Sequence, residues 1–148
     1  MLVKDIMRSN VRSVTPETPM LEVSSLMCLY RLSGLPVVEN EKLVGFIAEK
    51  DVLARLLPTL ADFKDGMAGV NYDAMEAQYR DVIDLKTSDL MANRVISVRP
   101  DMHAIQAAAV MVRHNFRRIP VANGDTLVGM VSLGDVHKAL FHANLAKR

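Results

Sequence analysis

The chain has 148 residues, half of them hydrophobic and 24% charged, which fits one globular domain or two small units that share a core. Its formal net charge is +1, so the sequence predicts neither general nucleic-acid binding nor attraction to an anionic membrane. The single cysteine, Cys28, excludes an intrachain disulfide and a zinc cluster made of cysteines.

Two stretches of the chain repeat one pattern. Residues 3–57 align with residues 87–141 at a constant offset of 84 without a gap, and 15 of the 55 aligned pairs are identical. Most other pairs keep their hydrophobic character, and a match of this extent does not arise by chance. We therefore expect a first repeat at 1–57, an inserted linker at 58–86, a second repeat at 87–143 and a tail at 144–148.

The first copy predicts the element order strand, helix, strand, strand, helix. Thr18 is expected to cap the first helix, with Pro19 as its first residue, where the missing N–H costs nothing. Cys28 is interpreted as a small buried hydrophobe rather than a reactive thiol. The helix positions that recur at helical spacing are Leu21, Ser25, Cys28 and Leu32. The other elements are expected at 11–14, 35–38, 43–47 and 50–57.

The insertion predicts an amphipathic helix that begins near Val70. Pro58 ends the preceding helix, and the side chain of Asn71 is suited to cap the new one. Its apolar stripe consists of Tyr72, Met75, Tyr79, Val82 and Ile83. This stripe needs a partner, which is either the body of the protein itself or a second copy in a dimer.

The second copy predicts the same elements. Its strands are expected at 95–98, 119–122 and 127–131, with one helix between the first two strands and a second helix at about 134–143. The first of these helices has Ile105, Ala108, Met111 and Val112 at helical spacing. A unit of about 55 residues is too small to bury a generous core alone, so we expect two βαββα-type units of the α/β (α+β) class to pack as a pseudo-two-fold pair.

The repeated pattern resembles a tandem pair of cystathionine-β-synthase (CBS) domains. It consists of Asp-[Ile/Leu]-Met, Val-x-Ser-Val-x-Pro, a helix, [Leu/Ile]-Pro-Val, Leu-Val-Gly and Asp-Val. The resemblance implies a non-enzymatic regulatory module that often forms homodimers. It also implies that AMP, ADP, ATP or S-adenosylmethionine binds in clefts between the repeats and that an attached or partner enzyme or transporter is regulated.

The family motif of glycine, two hydrophobic residues, Thr or Ser, any two residues and Asp is complete in the second copy, at residues 129–135. The resemblance implies that Asp135 accepts hydrogen bonds from ribose hydroxyls and that Ser132 contacts phosphate. Arg117 and Arg118 precede the Pro-Val strand, and a guanidinium suits phosphate oxygens. The predicted primary site comprises Ile96, Ser97, Arg117, Arg118, Ile119, Pro120, Val121, Ser132 and Asp135.

Each of these residues also has a simpler interpretation. Aspartate near a helix start caps the helix, arginine near a helix end interacts with the helix dipole, and isoleucine or valine packs in a core. For Arg113 the two interpretations stay open. Since neighbouring residues of a strand alternate, Arg117 and Arg118 are expected to point in opposite directions, and a ligand role is favoured for one of them.

The first copy departs from the motif, because Ala48 replaces the hydroxyl residue and Glu49 adds a negative charge. A secondary, weaker ligand site is therefore predicted there. It comprises Arg12, Ser13, Leu35, Pro36, Val37 and Asp51.

Other classes of protein find no support in the sequence. Residues 129–134 have the spacing of a phosphate loop, but Asp135 stands where lysine is required. The four histidines lack the spacing of a metal pair, and no serine lies in a nucleophile elbow. The longest apolar stretch, 104–112, is too short to span a membrane, so we expect a cytoplasmic protein without membrane insertion. The alternative to ligand sensing is a structural dimerisation module that binds no small molecule.

Overall fold

The computed structural model describes residues 1–57 and 69–147, and the chain divides into two compact units. Unit 1 contains Met1–Arg12, Val38–Val44 and Arg94–Arg148, and unit 2 contains Ser13–Val37 and Gly45–Asn93. Each unit therefore combines most of one sequence copy with the opening segment of the other copy, and unit 1 also contains Val38–Val44 of the first copy. The sequence boundaries of the copies remain a prediction, and the units cut across them.

Both copies contain the predicted helix, two strands and helix, which confirms the mixed class of helices and antiparallel strands. The elements of the first copy are α1 (Val3–Ile6), α2 (Met20–Tyr30), β1 (Gly34–Glu39), β2 (Lys42–Ala48) and α3 (Glu49–Ala54). Those that follow are α4 (Tyr72–Ala77), α5 (Tyr79–Ile83), α6 (Thr87–Leu90), α7 (Ala104–Arg113), β3 (Arg118–Asn123), β4 (Thr126–Ser132) and α8 (Leu133–Leu145).

The strands lie in the order β1-β2-β4-β3. In unit 1, β3 and β4 run antiparallel from the pair Arg118–Ser132 to the pair Asn123–Thr126, with an irregularity between Val121 and Ala122. Also in unit 1, the start of β2 joins β4 through Lys42 and Thr126. The expected first strand of each copy is reduced to one bridging residue, Val14 or Val98, which pairs in parallel with Val37 or Val121.

The core of unit 1 lies between the β3–β4 hairpin and the helices α1, α7 and α8. Its buried members are Val3, Val98, Ala104, Ala107, Met111, Ile119, Val121, Val131 and Val136. Unit 2 buries an equivalent set that includes Met20, Val23, Met27, Leu35, Val37, Ile47 and Val52. Ile119, Val121 and Val131 point to the core face of the hairpin, whereas Arg118 and Ser132, at the end of the hairpin next to α8, lie on the opposite face.

Short segments attach to each unit through backbone hydrogen bonds. In unit 1, the N–H of Val3 donates to the carbonyl of Met102 at 2.8 Å, next to the start of α7. In unit 2, the N–H and hydroxyl of Thr87 both donate to the carbonyl of Thr18, at 2.9 and 2.7 Å. Val3 and Thr87, like Met102 and Thr18, are equivalent in the repeat. The two copies thus use equivalent residues for the hydrogen bond that attaches the leading segment.

An exposed ion pair accompanies the unit 2 attachment. The ammonium of Lys86 donates a hydrogen bond to the carboxylate of Glu17 at 2.8 Å. That bond, together with the negative charge of Glu17, raises the pKa of Lys86. A raised lysine pKa favours folding below the unfolded pKa and loses this effect at higher pH, so the pair favours the folded state throughout the neutral range.

Glycine is required where these segments cross the strands. A Cβ at Gly129 would lie 2.8 Å from the carbonyl oxygen of Arg8 and 2.8 Å from Sδ of Met7. A Cβ at Gly45 would lie 3.0 Å from the carbonyl oxygen of Ala92. These distances are shorter than the contact distances of carbon atoms in ordinary packing. The glycine of the repeated Leu-Val-Gly motif therefore leaves room for the backbone that crosses the strand.

The helical positions assigned to the core were wrong in part. Leu21 is 59% exposed and Cys28 is exposed, whereas Met20, Val23 and Met27 are buried. The helix starts one residue later than predicted, so Pro19 is its N-cap residue, and the hydroxyl of Thr18 accepts from the N–H of Thr15 rather than from α2. In α7 the buried face is formed partly by small residues, since Ala104 and Ala107 are buried whereas Ile105 and Val112 are exposed.

The insertion forms two short helices instead of one. The side chain of Asn71 accepts from the N–H of Ala74 at 3.1 Å, which confirms the predicted cap. Val82 of the stripe is buried, and the hydroxyl of Tyr79 donates to the hydroxyl of Ser24 of α2 at 3.1 Å. Part of the stripe thus packs within unit 2, while Tyr72 stays exposed. The predicted break at Pro58 lies outside the described residues.

Candidate functional site

Ser132 and Asp135 form a reciprocal hydrogen-bonded pair at the start of α8. The N–H of Ser132 donates to Oδ2 of Asp135 at 2.9 Å, and the N–H of Asp135 donates to the hydroxyl of Ser132 at 3.0 Å. This is a capping box, which satisfies donors that the first turn of a helix leaves unpaired. Capping, the simpler interpretation of both residues, is therefore part of what they do.

The same aspartate position recurs at three other helix starts. Asp5, Asp51 and Asp89 each accept a hydrogen bond from the N–H three residues earlier, at 2.9, 2.8 and 2.9 Å. Repetition of such an aspartate is thus explained by helix geometry alone. Among the described residues, Asp135 is the member of this set with an ion pair to an arginine: its Oδ1 lies 3.9 Å from Nε of Arg8.

Arg8, Arg118 and Ser132 share one face of the β3–β4 sheet. Arg118 is paired with Ser132 across the two strands, and Arg8 forms an antiparallel bridge with Met130 on the other side of β4. Paired residues point to the same face, as do residues two apart along a strand. The opposite face carries Ile119 and Val131, which are buried in the core.

Arg117 and Arg118 are distinguished by this pairing. Arg118 stands on the face of Ser132, while the carbonyl of Arg117 accepts the N–H of Leu133, the first residue of α8, at 2.9 Å. Both side chains are exposed. Arg117 therefore helps to anchor the helix start through its backbone, and Arg118 presents its guanidinium beside Ser132.

The other predicted residues of the primary site divide into two groups. Ile119 and Val121 are fully buried, and Pro120 is also buried, so these three belong to the hairpin and its core. Ile96 and Ser97 are exposed and directly precede Val98, whose N–H donates to the carbonyl of Pro120 at 3.0 Å. The bridge places Ile96 and Ser97 alongside the strand that begins at Arg118.

The equivalent positions of the first copy are chemically different. Gly34 stands where the second copy has Arg118, and a Cβ there would lie 2.5 Å from the ring of Phe46. Phe46 bridges to Ala92, just as Met130 bridges to Arg8. Gly34 and Ala92 thus stand where the second copy has the guanidinium groups of Arg118 and Arg8, and the ring of Phe46 takes the place of Met130.

The secondary site stays a prediction, and its residues differ in burial and in the unit to which they belong. Leu35, Pro36 and Val37 are buried, and Asp51 caps α3 through its Oδ2. Ser13 belongs to unit 2, as they do, whereas Arg12 belongs to unit 1. There Arg12 lines an open surface depression of about 360 Å³ together with Ser9, Asn10 and Val11.

Sequence reasoning missed Arg8. It lies 127 positions before Asp135 (135 − 8) and belongs to the segment preceding the first strand, for which no site was expected. One signal was present in the alignment of the two copies. Arg8 aligns with Ala92, so a guanidinium stands in one copy where the other has a methyl group, next to a Met that both copies share.

Residues 1–57 and 69–147 contain neither a metal-binding cluster nor a membrane-spanning helix. No three histidine, cysteine or acidic side chains gather there as a metal site. Of the helices described, none has the length and apolar character needed to cross a membrane.

The sequence matches the family model for the CBS domain twice, at residues 3–58 and 87–142. The CBS domain-containing protein YhcV of Bacillus subtilis is 31% identical over 90% of this chain and 81% of that protein. The uncharacterized protein MJ1426 of Methanocaldococcus jannaschii is 30% identical over 95% of this chain and 91% of that protein. The crystal structure of CBSX2 in complex with AMP has the same fold, with a TM-score of 0.74, 24% identity and coverage of 97% of this chain and 98% of that one.

Proposed function

Because this chain belongs to the CBS domain family and carries that domain twice, we propose that it is a regulatory module that binds an adenosyl nucleotide. AMP, ADP, ATP and S-adenosylmethionine are the candidate ligands. The shared fold of CBSX2, whose structure contains AMP, supports a ligand of this class. Binding favours one conformation of the module, and a partner enzyme or transporter that distinguishes the conformations responds.

The observation that carries the proposal is the convergence of Arg118, Ser132 and Asp135 at one end of the β3–β4 hairpin. One oxygen of Asp135 is engaged by the N–H of Ser132, so Oδ1 is the acceptor that remains for a ribose hydroxyl. Arg118, paired with Ser132, supplies a guanidinium for phosphate oxygens. Ser97, exposed beside the same strand, is a polar contact for the base or sugar.

We place the primary site in the second copy and expect the first copy to bind weakly or not at all. Phe46, Gly34 and Ala92 leave no cation on the equivalent sheet face, and Glu49 adds a carboxylate. Phosphate recognition there lacks the charge-assisted hydrogen bonds that the second copy offers.

The module acts by binding rather than by catalysis, and a homodimer is its expected assembly. A ligand-free dimerisation module is the second candidate. It is favoured by large apolar side chains that stay exposed on three helices: Leu21 and Leu29 on α2, Ile105 and Val112 on α7, Phe141 and Leu145 on α8. Exposed apolar surface of this kind is typical of protein contacts.

Thermal unfolding with and without ligand separates the two candidates. At about 100 times the dissociation constant a ligand stabilises by roughly 2.7 kcal/mol, which raises the melting temperature of a protein of this size by roughly 5–10 °C. We expect such a shift with at least one of AMP, ADP, ATP and S-adenosylmethionine; NADH and coenzyme A complete the panel, because each contains an adenosine phosphate. If no compound of the panel shifts the melting temperature and light scattering shows a dimer, the dimerisation module is favoured.

Paired variants then test the site. Asp135→Ala and Asp51→Ala remove the same capping carboxylate from equivalent helices, so both lower the melting temperature of the free protein. Only Asp135→Ala should abolish the shift caused by the ligand. Arg118→Ala should also abolish it, without the loss of a cap. A shift that survives both Asp135→Ala and Arg118→Ala would show that the ligand binds elsewhere.

A further inference from the structure

We propose that Arg8 is a ligand-binding and specificity-determining residue of the second-copy site. Its guanidinium would select adenine nucleoside 5′-phosphates over uncharged adenosine and over the sulfonium ligand S-adenosylmethionine. This inference rests on the proposed function and narrows the class of ligand.

The backbone of Arg8 is fixed at the site by two hydrogen bonds. Its N–H donates to the carbonyl of Met130 at 2.8 Å, and its carbonyl accepts the N–H of Met130 at 2.9 Å. Gly129 permits this approach, because a Cβ there would lie 2.8 Å from the carbonyl oxygen of Arg8. The backbone of Arg8 is therefore held beside β4, opposite Met130, which lies two residues before Ser132.

The guanidinium of Arg8 points along the sheet toward the start of α8. Its Nε lies 3.9 Å from Oδ1 of Asp135, the oxygen that the capping box leaves available. The Arg8 side chain is 81% exposed and that of Asp135 is 18% exposed, so the arginine side chain is accessible to a ligand from solvent. A cation beside the sugar-binding carboxylate is placed to contact a 5′-phosphate attached to that sugar.

The charges at this end of the hairpin favour an anion. Arg8, Arg117 and Arg118 carry three positive charges, against one negative charge on Asp135. A phosphate group gains from each guanidinium, whereas the positive sulfonium of S-adenosylmethionine is repelled. Adenosine is uncharged and gains nothing from Arg8. At the equivalent positions of unit 2 the three arginines are replaced by Ala92, Ser33 and Gly34, so the charge preference belongs to unit 1.

Titration calorimetry of the full chain with AMP, adenosine and S-adenosylmethionine tests the assignment. Arg8→Ala should lower the affinity for AMP roughly tenfold, which is the effect of one charge-assisted contact. It should leave the affinity for adenosine within about twofold of its original value. Arg8→Lys keeps the charge and should retain most of the AMP affinity. The AMP affinity of the unaltered chain should fall more steeply with salt than that of Arg8→Ala, because exposed charges are screened.

Arg99→Ala is the matched control. Arg99 is an exposed arginine of the same unit whose Nε lies 3.2 Å from Asp101, so the variant removes the same charge and also breaks a surface ion pair. It should leave the ratio of AMP to adenosine affinity unchanged.

Three results would overturn the assignment of Arg8, and they differ in what else they affect. An unchanged ratio of AMP to adenosine affinity in Arg8→Ala would remove Arg8 from the site while the proposed function stands. An equal loss of both affinities would show that Arg8 acts only by supporting Asp135. An unaltered chain that binds none of the three compounds would overturn the proposed function as well.

Discussion

Ser132 and Ala48 occupy the same backbone geometry at the starts of α8 and α3. Ser132 has φ −116° and ψ 162°, and Ala48 has φ −117° and ψ 158°. In both, the N–H donates to the aspartate three residues later, but only Ser132 offers a hydroxyl in return. The two copies thus differ by one hydrogen bond at an otherwise equal helix start.

Exchanging these residues should move stability in opposite directions. Ser132→Ala removes the hydroxyl that accepts the N–H of Asp135 and should lower the free energy of unfolding by about 1 kcal/mol. Ala48→Ser supplies the missing acceptor to α3 and should raise it by a similar amount. Denaturant unfolding of both variants measures the effects.

The ligand response of the same variants separates capping from binding. Ser132→Ala should also weaken nucleotide binding, whereas Ala48→Ser should not create a second site, because Gly34 and Ala92 supply no cation. Equal stability of Ser132→Ala and the unaltered chain would show that the capping bond contributes nothing.

At the scale of residues, the sequence predicted what depends on local motif. The run that contains Ser132 and Asp135 is continuous along the chain, so their meeting at a helix start followed from the motif. Arg8 was missed because its approach to Asp135 depends on the bridge to Met130, a contact between distant parts of the chain. The prediction that Cys28 is buried was wrong, because Met20, Val23 and Met27 form the buried face of α2 instead.

Among the structural elements, the crossing of α1 and its following residues over β4 depends on Gly129. Gly129→Ala places a methyl group 2.8 Å from the carbonyl oxygen of Arg8, and backbone cannot yield as a flexible side chain does. Overpacking of this kind costs roughly 1–3 kcal/mol, so the free energy of unfolding should fall by that amount. Displacement of Arg8 should weaken AMP binding in the same variant.

Gly134→Ala is the control for this prediction. Gly134 lies in the first turn of α8, and a Cβ there would approach nothing closer than the Ser132 hydroxyl at 3.6 Å, an ordinary contact. Alanine in a helix is favoured over glycine by roughly 0.5–1 kcal/mol, so this variant should be more stable than the unaltered chain. A Gly129→Ala protein as stable as Gly134→Ala would contradict the crowding at β4.

Element prediction succeeded where the hydrophobic pattern was strong and failed where an apolar stripe continues across a break in the helix. Hydrophobic runs around Pro36 and Pro120 predicted β1 and β3, and the Asn71 cap was correct. The insertion was predicted as one helix, but it divides at Gln78, which ends α4 and precedes α5. Periodicity alone did not indicate this division, because the apolar stripe continues across it.

At the scale of the whole molecule, neither sequence copy forms a unit from its own residues. Unit 1 needs residues 1–12 together with 94–148, and unit 2 needs residues 13–37 together with the segment that contains Thr87. The repeat predicted duplication, but it did not predict that each leading segment joins the other copy's residues. That assignment arises from tertiary hydrogen bonds, such as those of Val3 and Thr87, which leave no periodic signal.

Because each unit contains segments of both copies, the fold predicts how two fragments of the chain associate and unfold. When residues 1–62 and 63–148 are produced as separate chains in one cell, we expect them to co-purify in equal amounts, since each unit contains segments from both fragments. Their mixture should unfold cooperatively, and each fragment alone should lack a cooperative transition because it lacks strands or helices of both cores. Differential scanning calorimetry of the pair and of each fragment is the measurement. Two fragments that each unfold cooperatively on their own would mean that the attachments at Val3 and Thr87 are dispensable, and that each copy holds its fold without the other's leading segment.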